Sequence, residues 1–167
     1  MQELIYNQSK IPKSKWRYGF RSSAATGCGW IATHNALRLM GYPSHPEYLI
    51  RYYERGLPLL NGNLGTCLFN IIIFFKQKGF RVKVTTRRSK FDETVKNSDV
   101  CILFYFWHKK YKPGAHYVTV HYSDGKFLGY NTFSNSTGPD NYRGSLELFL
   151  KKRNYFGAIL IAIKNKY

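Results

Sequence analysis

Cys28 lies between Gly27 and Gly29, and the residues that follow, through Met40, carry Ala32, Ala36, Leu39 and Met40 at helical spacing. A cysteine that opens a helix faces unsatisfied backbone N–H groups and the positive end of the helix dipole, and both favour a thiolate. The flanking glycines leave the backbone free to turn sharply and leave space for a substrate. Arg21, upstream, adds positive potential. Cys67 and Cys101 lack this context and sit inside apolar runs, where a cysteine packs as a small hydrophobe. The chemistry implied at Cys28 is nucleophilic attack by sulfur, which requires a base to accept the thiol proton.

The chain has 5 histidines to supply that base. The stretches 115–122 and 126–133 bracket Ser123, Asp124 and Gly125 and read as a β-hairpin. If the loop is Asp124-Gly125, or the four residues 123–126, Val118 opposes Asn131 and His116 opposes Phe133. His116 and Asn131 then share a face as diagonal neighbours, roughly 7–8 Å apart. Val118, Val120, Tyr122 and Phe127 fall on that face, while Tyr117, Thr119 and His121 fall on the other. His121 therefore points away from His116, and the two cannot chelate a metal together. His45 precedes Pro46 in a loop, and His34 lies nearly two turns along the Cys28 helix. His108, at the end of a strand, stays open as an alternative base. An imidazole placed against Cys28, with the Asn131 amide holding its other nitrogen, is the arrangement of a thiol hydrolase.

The elements needed to position these groups are visible in the periodicity. After an aperiodic arm, helices are expected from Cys28, from Pro46 to Glu54 and from Leu64 to Lys78, with Gly41 and Gly79 as stops. The period then becomes extended: Val82 and Val84 alternate with Arg81 and Lys83. Val100 to Trp107 is continuously apolar, as in a central strand. Ser89 is expected to cap a short helix through Lys96, with Asp92 completing a capping box, and Ser145 to cap another through about Arg153. A last strand spans Tyr155 to Ile163. Helices early and antiparallel strands late make an α+β fold, a helical layer on a sheet. The expected organisation is an arm, 1–17, and a single domain, 18–167.

The stretch YGFRSSAATGCGWIATHNALRLMG and the later GAHYVTVHYSDGKFLGYNTF, together about a quarter of the chain, resemble the papain-like cysteine peptidases. The likeness is to the bacterial branch of bacteriocin-processing, double-glycine leader peptidases. The resemblance implies a papain-like domain whose nucleophile helix packs on an antiparallel sheet. It implies Cys28 as nucleophile, His116 as general base and acid, and Asn131 as the orienting residue. In that family a Gln about six residues before the Cys helps bind the oxyanion. Here Ser22 stands there, so the hole is expected to draw on the Cys28 N–H with a weaker second bond from Ser22 or Ser23, near Gly27 and Gly29. Trp30 replaces a small residue and is expected to crowd the cleft or stack on a substrate.

Composition limits the alternatives. With 44% hydrophobic and 17% aromatic residues the chain has the material for a packed core. Its 26 Lys and Arg against 9 Asp and Glu give a net charge of +17, which points to an anionic substrate or surface. No metal-binding spacing occurs, and no metal or cofactor is expected. Three cysteines without a pairing pattern, no secretory signal and no long apolar run favour a cytoplasmic location. The leading expectation is therefore a thiol hydrolase of a peptide or amide bond. The alternatives are acyl transfer on the same scaffold, or a catalytically degenerate domain that binds nucleic acid or an anionic surface.

Overall fold

A computed structural model describes residues 3–55, 65–109, 112–152 and 155–166, with the backbone alone at 108, 109, 112, 113 and 156. In chain order its helices are α1 (Ser23–Thr26), α2 (Cys28–Leu39), α3 (Pro46–Arg55), α4 (Leu68–Gln77), α5 (Phe91–Lys96) and α6 (Leu146–Lys152). Its strands are β1 (Arg17–Tyr18), β2 (Arg21–Ser22), β3 (Arg81–Thr85), β4 (Val100–Lys109), β5 (Lys112–Ser123), β6 (Lys126–Tyr130), β7 (Asp140–Asn141) and β8 (Tyr155–Lys164). The expected helix start at Leu64 and helix end at Arg153 lie outside the described residues, as does the side chain of His108.

Strands β3 to β8 form one antiparallel sheet in the order β3-β8-β4-β5-β6-β7, with the apolar run of β4 near its centre. On one face Ile102, Tyr117, Ile161 and Ile163 pack with Trp30, Ile31 and Ala32 of α2, Tyr53 of α3 and Phe74 and Phe75 of α4. On the other, Leu103, Val118, Val120 and Leu160 pack with Phe91 of α5 and Leu146 and Leu150 of α6. The fold is α+β as the sequence implies, but it has helices on both faces rather than a single helical layer. The reason lies in β4 itself, whose apolar residues occur at both parities, so each face must be covered.

The hairpin has the register read from the sequence, from Ser123 opposite Lys126 to Thr119 opposite Tyr130. Asp124 and Gly125 both have positive φ, 50° and 74°, which matches the twist of the flanking strands. Pairing stops at Tyr130, however. Asn131 takes φ 63°, a left-handed conformation that Asn tolerates better than most residues, and the chain turns away there. Beyond Thr119, β5 has no β6 partner, and the candidate site occupies this uncovered margin.

The N-terminal arm lies on the domain. Ile5 exchanges two hydrogen bonds with the buried Asn35 side chain, each 2.8 Å. The Glu3 carbonyl meets His34 Nε2 at 3.0 Å, and Ile11 is buried in the core against α2.

Candidate active site

Cys28 is the first residue of α2. It is half-buried, packed against the core cluster that contains Trp30 and Tyr117. Burial pushes its thiol up from the ordinary value, and the backbone N–H groups of Tyr117, Gly29 and Cys28 itself offset that only in part. The thiolate expected from the helix N-terminus is therefore not the resting state, because desolvation outweighs the dipole.

Alternation along β5 sends Tyr117 toward α2 and His116 to the opposite face, where its ring meets Tyr105 edge-on at 5.9 Å. His116 Nε2 lies 2.6 Å from the backbone carbonyl of Asn131, and its Nδ1 has no hydrogen-bond partner among the described residues. A carbonyl only accepts, so Nε2 carries the proton and Nδ1 presents a lone pair. Burial holds the imidazole below its ordinary value, and the Asn131 carbonyl counteracts this in part. His116 is thus neutral near pH 7.

The structure brings His116 and Asn131 together, though not through the side chain that the hairpin argument invoked. Because Asn131 is left-handed, its carbonyl faces the imidazole and its amide turns to the arm. Asn131 Oδ1 accepts from the Gln8 backbone N–H at 2.8 Å, and Nδ2 donates to Gln8 Oε1 at 3.0 Å. Cys28 and His116 approach the same margin of β5 from its two faces, through adjacent residues, but no hydrogen bond joins the sulfur to the ring. An open cleft of about 980 Å³ borders His116 and Asn131, lined by Gln8, Ala24, Tyr105, Trp107, Phe133 and Tyr155 among others.

The other near-site residues serve the frame. Trp30 is fully buried, its indole N–H donating to Ser23 Oγ at 3.1 Å and its ring edge-on to Trp16, so it neither crowds the cleft nor meets a substrate. A Cβ at Gly27 would fall 2.5 Å from the Ser23 carbonyl, and one at Gly29 2.4 Å from Thr66. These glycines admit neighbouring protein. Ser22 precedes α1, makes no side-chain cap bond and pairs with Arg17 across β1 and β2. Gln8 was not among the sequence candidates. It lies 123 residues from Asn131, and no local pattern links the two.

Two solved structures share this architecture. One is the peptidase domain of Streptococcus ComA, a bifunctional ABC transporter of a quorum-sensing pathway, at 15% identity over 83% of this chain and 91% of that one, TM-score 0.56. The other is a double glycine motif protease from an AMS/PCAT transporter, in complex with the leader peptide, at 14% identity over 94% and 96%, TM-score 0.53. The chain has the fold of these peptidase domains. No protein-family model and no curated protein sequence matches it. The α+β class expected from the order of helices and strands, and the papain-like fold that the resemblance implied, are therefore the observed ones. No helix among the described residues is long and apolar enough to cross a membrane.

Proposed function

We propose that the protein is a thiol hydrolase that cleaves a peptide or amide bond through a Cys28 thioester. The observation that carries this reading is the state of His116. Its Nε2–H is fixed on the Asn131 carbonyl, and its basic Nδ1 has no hydrogen-bond partner among the described residues, one residue along β5 from the N–H that faces the Cys28 sulfur. The resting pair is a neutral thiol and a neutral imidazole. The step requires substrate to draw the sulfur and the imidazole together around the margin of β5; Nδ1 then takes the thiol proton as the sulfur attacks the carbonyl carbon, and delivers it to the departing amine. Water, deprotonated by the same nitrogen, releases the acid and regenerates the thiol. Hydrogen bonds of this kind often tighten only when substrate binds. The aromatic lining of the cleft suits a peptide with bulky side chains, and the +17 charge suits an acidic one. Both neighbours are described as peptidases, and neither description favours acyl transfer or nucleic-acid binding.

The test is site-resolved alkylation by iodoacetamide across pH, with the also half-buried Cys67 as internal reference. Cys28 reactivity is expected to rise as pH passes upward through a value below the ordinary histidine 6.5, where the imidazole loses its proton. His116→Ala should lower it by at least about 10-fold and remove that titration. A Cys28 profile indifferent to His116 sinks the reading.

A further inference from the structure

We propose that Gln8, on the N-terminal arm, is a positioning residue that couples the segment leading into Cys28 to the residue that orients His116. This rests on the hydrolase reading for its consequence, though not for its geometry. Asn131 Oδ1 accepts the Gln8 backbone N–H, and that fixes which end of the Asn131 amide is oxygen. Nδ2 must then donate, and it does so to Gln8 Oε1 at 3.0 Å. Gln8 Nε2 is left to donate, and it reaches the Ala24 carbonyl in α1 at 3.2 Å. Each of the three nitrogens in this network, Gln8 N, Asn131 Nδ2 and Gln8 Nε2, has an acceptor, so the polarity of the network follows from one backbone N–H.

Its mechanical effect is specific. Asn131 is one of two non-glycine residues with positive φ among the described residues, and in that conformation its carbonyl faces His116 Nε2. Two bonds from Gln8 hold the side chain of this strained residue, and a third ties Gln8 to α1, which Gly27 joins to Cys28. The arm around Gln8 is itself anchored, with Asn7 Nδ2 donating to the Ser134 carbonyl at 2.7 Å and Ser9 N–H donating to Asn7 Oδ1 at 2.9 Å. Gln8 touches neither the sulfur nor the imidazole; it acts through Asn131.

The experiment uses the full chain with 15N-labelled histidine. The His116 tautomer is read by NMR and Cys28 alkylation is followed in parallel, for wild type, Gln8→Met, Asn131→Gly and the double variant. Gln8→Met keeps the side-chain length and the backbone bond but removes both amide bonds. Asn131→Gly keeps the left-handed backbone. Wild type is expected to hold His116 as the Nε2–H form. Gln8→Met should mix the tautomers and slow alkylation roughly 2- to 10-fold, the span of one net hydrogen bond, and should add nothing in the Asn131→Gly background. Ser9→Ala, which removes the bonds from Ser9 Oγ to Asn7 Oδ1 at 2.6 Å and to the Ser134 carbonyl at 3.3 Å while sparing Gln8, should leave the tautomer unchanged. The proposal is overturned by a wild-type tautomer in Gln8→Met, by a full effect persisting in the double variant, or by an equal effect of Ser9→Ala. If the tautomer responds while wild-type Cys28 shows no His116-dependent reactivity, positioning stands and the hydrolase reading falls. If Cys28 is activated and Gln8→Met is silent, only positioning falls.

Discussion

At Gly29 an added Cβ would stand 2.4 Å from both the Cβ and the hydroxyl of Thr66, a buried residue bonded to Tyr18 through its hydroxyl and to Tyr117 through its carbonyl. Neither neighbour can yield without moving the residues that frame Cys28. Gly29→Ala is therefore expected to cost about 1–3 kcal/mol as overpacking. Calorimetry should show the melting midpoint falling roughly 2–4 °C for each kcal/mol; an unchanged midpoint would mean that the glycine is not held by packing. The same scale shows what a sequence reveals about a site. Cys28 stood out by its neighbours in the chain and His116 by hairpin parity, both local signals. Gln8 gave no local sign that its partner was Asn131, because that contact depends on how segments 123 residues apart meet, whereas the Trp30 indole meets Ser23 only seven residues back, across the break between α1 and α2.

Elements were legible where period and turn chemistry agree. Val118, Val120 and Phe127 share a packed face as the Asp124-Gly125 turn requires, and Ser145 Oγ accepts the Leu148 N–H at 3.0 Å as its position before α6 implies. Asp92 shows the limit of this logic. Its spacing from Ser89 suggests a capping box for its own helix, yet Ser89 lies in a 3-10 turn and α5 has no side-chain cap at its start. Asp92 Oδ1 instead accepts the Leu146 N–H, 2.8 Å away at the start of α6. Local reading cannot see this because the two residues are 54 positions apart. Asp92→Ala is expected to destabilise the fold by about 0.5–2 kcal/mol, while Ser89→Ala stays within about 0.5 kcal/mol. Urea titrations of the two variants decide it: equal losses would restore the capping box.

Across the whole molecule, charge and burial set opposite limits on stability. The described residues contain two ion pairs, Lys90 with Glu93 and Lys151 with Glu147, both exposed, and the net +17 is what remains after all 9 Asp and Glu are counted, so no acidic side chain is left to neutralise it. Burial holds His34, His116 and, less completely, His121 below the ordinary 6.5. The unfolded chain therefore binds more protons than the folded one as pH falls through 6.5, and their contribution to stability is lost on the acid side. Added protons also deepen the self-repulsion of a cationic surface. On the alkaline side burial raises Cys28 and Cys101 above the ordinary 9.0, Cys101 to about 12, and lifts Tyr18 from 10.0 to about 12 with Tyr53 and Tyr117 also raised. There the unfolded chain gives up protons first, and stability declines as pH climbs past 9. The two edges bound a plateau between roughly pH 6.5 and 9. Chemical denaturation at pH 5, 7.5 and 10 should give the highest midpoint at 7.5, with His116→Asn narrowing the gap between 5 and 7.5. A midpoint at pH 5 equal to that at 7.5 would show that the histidines of this core, including the proposed base, are not held neutral by the fold.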